Sequence, residues 1–349
     1  MTDPALEALF LPLFDGLVRL PQQTSLLFLR ARAGMGLLRL RSAQPQWRVL
    51  AEQSFRPFAD ALDAQGSPVT AQAQGQFDAV LLLPPRQRAE ARALLARALV
   101  QANEGGLVLA SVANNEGARA IEADLERLGG AVASLSKHKC RVFWLRRDQA
   151  RLDAALAEAW QREDAPQPIV DGRFLSRPGL FAWDRIDPAS ALLAAQLPPD
   201  LAGQGADLGA GYGYLACEVL KHCPQVKYMH LYEAEARALE LAQLNLARCA
   251  PPQAAALEFH WHDVVRGLPQ RYDFIVSNPP FHQGRADLPE LGQAFVRVAA
   301  QALRPQGRLL LVANRHLPYE QTLARHFSRS QVLAEDSGFK VIQAQEPRA

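Results

Sequence analysis

The chain contains the same strand-like pattern twice. Phe77-Asp78-Ala79-Val80-Leu81-Leu82-Leu83-Pro84-Pro85 matches Tyr272-Asp273-Phe274-Ile275-Val276-Ser277-Asn278-Pro279-Pro280 at an offset of 195 residues. Further on, Leu107-Val108-Leu109-Ala110-Ser111-Val112-Ala113-Asn114 echoes Gly307-Arg308-Leu309-Leu310-Leu311-Val312-Ala313-Asn314 at an offset of 200. Two matched runs in the same order, separated each time by an Ala- and Leu-rich helical stretch, mean duplication of a whole αβ unit. Such a chain folds as two similar α/β bodies, which a length of 349 residues also favours. The polar, proline-bearing stretch Arg162-Glu163-Asp164-Ala165-Pro166-Gln167-Pro168 has linker composition. The expected division is a first domain at 1–160, a linker at 161–172 and a second domain at 173–349.

The second half alternates strands with helices. Asp187-Pro188 opens a helix through Leu197, with Asp as N-cap and Pro at the first position. Strands are expected at Gly205–Gly209, Lys227–Tyr232, Leu257–His262, Phe274–Ser277 and Arg308–Ala313, with helices over Tyr214–His222 and Glu235–Arg248. That alternation means a parallel sheet with helices on both faces, and ligands of such sheets bind at the carboxyl ends of the strands.

The strand ending at Ser277 runs into Asn278-Pro279-Pro280-Phe281. Two prolines supply no N–H and stop the strand without starting a helix. An amide side chain and carbonyls are left presented, with an aromatic ring close behind. The Asn278 oxygen and the Pro279 carbonyl suit the two hydrogens of a planar NH2 group, and Phe281 suits its face. Upstream, Asp207-Leu208-Gly209-Ala210-Gly211-Tyr212-Gly213 lies between a strand and a helix. Its G-x-G-x-G spacing departs from the dinucleotide fingerprint, since Tyr214 stands where the last glycine belongs. A carboxylate two residues ahead repels a pyrophosphate but suits the cationic methionine portion of S-adenosylmethionine. Glu233, ending the next strand, can accept from both ribose hydroxyls, and Asp263, after the following strand, from an adenine amine. Read alone, Glu233 is equally a helix-cap residue and Asp263 a turn residue. Together the acids and the tetrapeptide point to methyl transfer onto an exocyclic or amide nitrogen, with Asn278, Pro279 and Phe281 as catalytic candidates. The first half has Leu83 in place of Asn278 and no glycine-rich turn at the matching distance, so it reads as a copy without a cofactor site.

Composition excludes other classes: 49% hydrophobic and 21% charged residues indicate neither disorder nor a membrane protein. No apolar stretch approaches the roughly 20 residues of a membrane span, and the acidic N-terminus lacks the order of a signal peptide. A cytoplasmic protein is expected, with Cys140, Cys217, Cys223 and Cys249 as reduced thiols and no metal site. Net charge is only +2, but no acid occurs between Asp15 and Glu52, where Arg19, Arg30, Arg32, Arg39, Arg41 and Arg48 all fall. A second basic group is Lys137, His138, Lys139, Arg141, Arg146 and Arg147. Each reads either as a phosphate-contacting face or as solvated surface.

Arg177-Pro178-Gly179-Leu180-Phe181, Asp187-Pro188-Ala189-Ser190, the glycine turn, Ser277-Asn278-Pro279-Pro280-Phe281-His282, Val312-Ala313-Asn314 through Leu317-Pro318-Tyr319 and Gly338-Phe339-Lys340-Val341 resemble the small-subunit ribosomal RNA guanine-N2 methyltransferases, type C. The resemblance covers about Gly172 to Ala344 and is thin over the first half. It departs from the family at Ala210, where Cys is common, at Trp183, where a small polar residue is usual, and at Glu233, where Asp is commoner. It implies two tandem Rossmann-like class I methyltransferase domains, each a mostly parallel seven-stranded-type sheet with helices on both faces, the first degenerate and serving folding and RNA contact. It further implies S-adenosylmethionine as cofactor, bound by Asp207, Gly209, Gly211, Gly213, Glu233, Asp263 and Asn278. The implied substrate is a guanine amine of 16S ribosomal RNA at position 1207, in free RNA or the small subunit, met by Arg177, Phe181, Phe281 and His282 and by Arg30, Arg32, Arg39 and Arg41. A monomer is expected. The tetrapeptide alone also admits a guanine-N2 methyltransferase of 23S RNA and a protein glutamine-N5 methyltransferase, and a non-catalytic RNA-binding scaffold is the alternative from another class.

Overall fold

A computed structural model describes residues 3–249, 255–280, 282–283, 286–287, 289–317 and 319–348. The chain divides into two compact units, Met1–Ala165 with Arg177–Gly179, and Pro166–Ser176 with Leu180–Ala349. In the first unit, β1 (Ser25–Leu29), β2 (Arg48–Glu52), β3 (Val69–Thr70), β4 (Phe77–Leu82), β5 (Ala102–Ala113), β6 (Ala133–Lys137) and β7 (Cys140–Arg146) form one sheet of order β3-β2-β1-β4-β5-β7-β6. The second unit begins with a hairpin of β8 (Gln167–Ile169) and β9 (Phe174–Ser176). The stretch expected as a linker therefore holds the end of the helix Ala154–Glu163 and the first strand of this hairpin.

The main strands of the second unit are β10 (Ala202–Leu208), β11 (Gln225–Glu233), β12 (Ala256–Trp261) and β13 (Tyr272–Ser277). A short ribbon of β14 (His282–Gln283) and β15 (Ala286–Asp287) follows, then β16 (Leu303–Asn314), β17 (Phe327–Asp336) and β18 (Phe339–Pro347). The sheet order is β12-β11-β10-β13-β16-β18-β17, the order of the first unit again. The strands pair in parallel except for the last hairpin, where β18 lies antiparallel between β16 and β17. The first unit shows the same exception at β6 and β7. Central strands read as near-continuous apolar runs because both their faces are covered. On one face Met229, Leu231, Val276 and Val312 pack with Leu215, Val219 and Leu241; on the other, Ala206, Ile275 and Leu309 pack with Phe295, Val296 and Leu323.

Sheet register makes the duplication residue-specific. Leu29 pairs with Glu52 and Leu82, as Leu208 pairs with Tyr232 and Ser277. Counting on from these pairs, Arg30 and Arg32 stand where Gly209 and Gly211 stand, Gln53 where Glu233 stands and Leu83 where Asn278 stands. One residue earlier, buried Phe28 replaces Asp207. Arg30 keeps the left-handed backbone of its glycine counterpart, with φ of 50° against 75°. Its guanidinium donates to the Leu83 carbonyl at 3.3 Å and lies 4.0 Å from Glu90. The first unit thus carries an arginine side chain over the end of β4, the place where the second unit presents Asn278.

One expectation is corrected. Cys217 and Cys249 form a disulfide, while Cys140 and Cys223 are free and buried. The helices Tyr214–His222 and Ala236–Cys249 bring Cα atoms 32 positions apart in sequence to 6.3 Å, a proximity that cysteine spacing alone does not reveal.

Gly205 in β10 lies against the buried Phe274 ring, where an added Cβ would come within 2.1 Å of Cζ. The Gly205→Ala variant is expected to destabilise the second unit by about 1–3 kcal/mol. Urea unfolding followed by near-ultraviolet circular dichroism measures this, and an unchanged midpoint would show that the sheet adjusts freely.

Candidate active site

The carboxyl ends of β10, β11, β12 and β13 carry Asp207, Glu233, Asp263 and Asn278 within one or two residues of each strand end. The turn after β10 takes left-handed φ values at Gly209, Gly211 and Gly213. Two of these glycines serve different ends. A Cβ on Gly211 would meet nothing within 4 Å, so this residue lines open space, whereas a Cβ on Gly213 would strike Leu246 and Ala242 of the helix Ala236–Cys249. The turn is anchored from outside by Asn245, fully buried, which donates to the Tyr212 and Leu175 carbonyls at 2.9 Å and accepts the Leu175 N–H at 2.7 Å. Tyr212 in turn donates to the Arg185 carbonyl at 3.0 Å. The alternation of polar and apolar residues in a helix gave no reason to single out Asn245.

Glu233 uses both carboxylate oxygens on main-chain donors: Oε2 accepts the Gly211 N–H at 2.7 Å and Oε1 accepts the Glu235 N–H at 2.8 Å. It therefore ties the glycine turn to the loop just before the helix Ala236–Cys249, and the further lone pairs of its oxygens remain for a ligand. Burial raises its carboxyl above the usual range, while those N–H groups pull it back. Asp263 caps the short turn Val264–Arg266 by accepting the Val265 N–H at 3.1 Å. Asp207 is fully buried, and among the described residues neither oxygen has a partner in full hydrogen-bond geometry, the Ala216 N–H acting on it only weakly. Burial first, and Glu233 second, push its carboxyl up to about 8, against a weaker opposing pull from the Ala216 N–H.

At the end of β13, Ser277 donates to the Leu208 carbonyl at 2.8 Å, fastening the strand to β10. The Asn278 amide nitrogen donates to Asp187 Oδ2 at 2.9 Å and lies 2.8 Å from Ser190 Oγ. A carboxylate accepts and does not donate, so Asp187 dictates which end of the amide faces it. Asn278 Oδ1 is consequently turned the other way, and it is buried without a partner among the described residues. Asp187 also caps the helix Pro188–Ala194 by accepting the Ser190 N–H at 2.8 Å. The capping motif was legible in the sequence; its second use as the amide's orienting group was not. Pro279 is buried and Pro280 exposed. Phe281 lies outside the described residues, as does the side chain of His282.

The other substrate candidates fall in both units. Phe181 is 64% exposed, and Trp183 packs partly buried against the core of the second unit. Arg177 belongs to the first unit, ion-paired with Asp164 at 2.5 Å. In the same unit the Arg32 guanidinium stacks 3.7 Å over Phe58, Arg39 lies 4.2 Å over Phe14, and Arg41 donates to the Gln65 and Gly66 carbonyls and to Ser67. Arg141, Arg146 and Arg147 are similarly engaged, which leaves Lys137, His138 and Lys139 as the exposed basic tip of the β6–β7 hairpin. Among the described residues no helix is long and apolar enough to cross a membrane.

The two orphaned acceptors and the open space above Gly211 fit a ligand that brings donors and positive charge. A seven-stranded sheet of this order, a glycine turn after its first central strand and Asn-Pro-Pro after its fourth define a methyltransferase, and the Methyltransferase small domain model matches residues 171–343. The Ribosomal RNA small subunit methyltransferase C of Cronobacter sakazakii is 30% identical over 298 residues, covering 85% of this chain and 83% of that protein. The T. thermophilus 16S rRNA N2 G1207 methyltransferase, solved in complex with AdoMet and guanosine, superposes with a TM-score of 0.80 at 27% identity, covering 99% of this chain and 92% of that one. The chain belongs to the ribosomal RNA small subunit methyltransferase C family. The Ribosomal RNA large subunit methyltransferase G of Shewanella amazonensis is also similar, 32% identical over 219 residues, but those span 62% of this chain and 55% of that protein.

The Asp207 carboxyl has a sign that stability measurements can check. Its folded value lies above the unfolded one, so the folded state holds a proton that the unfolded chain releases. Stability is full below about pH 4 and falls as pH rises toward 8, flattening beyond. The Asp207→Asn variant is expected to lose that segment of the pH profile in thermal melts of the ligand-free protein; a profile identical to wild type would place the titration elsewhere.

Proposed function

We propose that this chain transfers a methyl group from S-adenosylmethionine to the exocyclic N2 amine of a guanine in 16S ribosomal RNA, at the position corresponding to G1207 of the T. thermophilus relative. The observation that carries the reading is the orphaned Asn278 oxygen, aimed by Asp187 and Ser190 at a site that needs an N–H donor. The cofactor supplies an activated methyl group on a sulfonium. Asp207 and Glu233, with the backbone at Gly209, Gly211 and Gly213, hold its charged and ribose portions, and Asp263 its adenine amine. Asn278 Oδ1 and the Pro279 carbonyl accept one amine hydrogen each, drawing the nitrogen away from planarity so that its lone pair faces the methyl. Positioning and pre-arranged acceptors do the work, and no strong base is required because the proton leaves after transfer. Phe281 stacks on the base once it is unstacked from the RNA. Phe181 and His282 complete the substrate contacts.

Coverage supports the small-subunit reading over its sister. The small-subunit relative matches across most of both chains, including the first unit, whereas the large-subunit relative matches little more than half of its own length. In this reading the first unit is a copy without cofactor, its turn occupied by Arg30 and Arg32 in place of glycines, that supports folding and contacts RNA through its basic groups. The chain acts as a monomer in the cytoplasm.

Incubation with labelled cofactor and unmodified small subunits, with large subunits in parallel, followed by mapping of the methylated nucleotide, tests the assignment. A single labelled guanine in 16S RNA is expected; label confined to 23S RNA would transfer the chain to the sister activity. The Asn278→Ala variant should lose about 10²–10³-fold in kcat while keeping cofactor affinity. Retention of full activity would falsify the role of the amide oxygen. Calorimetric titration should give about one cofactor per chain, and two equivalent sites would contradict the account of Arg30 and Arg32.

A further inference from the structure

His230 lies in β11, and Glu258 and His260 lie in the neighbouring edge strand β12. In the parallel register His230 pairs with Glu258 and Tyr232 with His260. Alternation along a strand then puts all three side chains on the same face. Their donor atoms close into a small triangle: His230 Nδ1 is 3.1 Å from His260 Nε2 and 3.4 Å from Glu258 Oε2, and His260 Nε2 is 3.6 Å from Glu258 Oε2. A tetrahedral zinc ion with bonds of about 2.0–2.1 Å holds its donors roughly 3.3 Å apart, so the triangle has the size of three tetrahedral corners.

The surroundings give such an ion a wall and a door. Tyr232 stacks on the His260 ring at 4.4 Å and 11°, and Tyr272 meets His230 edge-on. The crossover from β12 to β13 carries only the three-residue turn Val264–Arg266, so among the described residues this crossover lays no full helix over the sheet edge. His230 is 2% exposed, His260 25% and Glu258 54%, which leaves a fourth corner on the Glu258 side for water. Two imidazoles and one carboxylate suit zinc and its borderline neighbours, not magnesium or calcium.

We propose that His230, His260 and Glu258 form a divalent transition-metal site, of zinc type, that clasps edge strand β12 to β11. It is independent of methyl transfer and of the acceptors at Asn278. Without metal the two imidazole nitrogens lie at hydrogen-bond distance, 3.1 Å, and Gln204 Nε2 donating to His230 Nε2 makes His230 Nδ1 the protonated one. Ligation at His230 Nδ1 moves that ring proton to Nε2, which sits 3.0 Å from the Gln204 amide. Turned over, the amide accepts it with its oxygen, as an outer partner to the ligating histidine, and gives up its 2.9 Å donation to Gln270 Oε1 and its 3.4 Å contact from Arg304. The sequence hid this site because His230 is 28 positions from Glu258, and only strand register brings them together.

The test is titration of chelator-treated full-length protein with zinc chloride, read by calorimetry and by metal content after dialysis. Wild type should take up about one zinc per chain and gain thermal stability, and magnesium chloride should do neither. The His260→Ala and Glu258→Gln variants change exposed or half-exposed side chains, and circular dichroism confirms their folding. Each should weaken zinc binding by at least about tenfold while leaving cofactor binding untouched. No saturable zinc uptake by wild type, or equal uptake by wild type and both variants, would overturn the proposal.

Discussion

In the proposed reaction, the contact between Asp187 and the Asn278 amide is the interaction on which the site depends. A carboxylate offers only acceptors, so the amide must present its NH2 to Asp187 and its oxygen to the opposite side. Ser190 holds the same NH2 from a second direction, and the two residues are the N-cap and a first-turn position of the helix Pro188–Ala194. That helix is fixed in the same stroke, because the Asp187 oxygen that binds the amide also caps its first turn. An amide oxygen buried without a partner is costly in the ligand-free protein. The cost is recovered when a donor arrives, which makes the acceptor favour a ligand atom that carries hydrogen.

The same logic recurs at the glycine turn after β10. Glu233 is oriented by two main-chain N–H groups, and Asn245 fixes the far side of the turn, so open space over Gly211 persists without a ligand to hold it. The first unit shows what happens when these features are lost on an otherwise equivalent frame. Gln53 still binds the Phe55 N–H as Glu233 binds that of Glu235, and the main chain follows the same path. Yet Phe28 has replaced the buried acid, and Arg30 reaches the Leu83 carbonyl from a glycine's position. The frame is retained, and the ligand space carries the protein's own cation.

Much of this was readable from the amino-acid order. The helix Tyr214–His222 and the central strands followed from apolar periodicity bounded by glycine and proline, and the offset repeats marked β4 with β13 and β5 with β16 as counterparts. The antiparallel closure by β17 and β18 did not stand out, because Ser328, Arg329, Ser330 and Gln331 are polar and exposed one after another and give no apolar alternation. At the site, the strand-end acids and Asn278 were legible because each sits beside a chain-breaking turn. Asp187 was visible only as a cap, and Asn245 not at all, since their partners lie 91 and 70 positions away. The arginine run before Glu52 looked like one basic face, but in the fold its members stack on Phe58 and Phe14 or hold carbonyls. Charge counted along a strand and a helix does not tell which guanidinium groups are already engaged.

The claim at the centre is that Ser190 and Asp187 act on the reaction solely by aiming Asn278. A double-mutant cycle on kcat between Ser190→Ala and Asn278→Ala addresses it most directly. Removal of the hydroxyl should slow methyl transfer in the wild-type background and change nothing once the amide is gone. Losses that multiply in the double variant would contradict the account, because Ser190 would then contribute by a route that bypasses the amide oxygen.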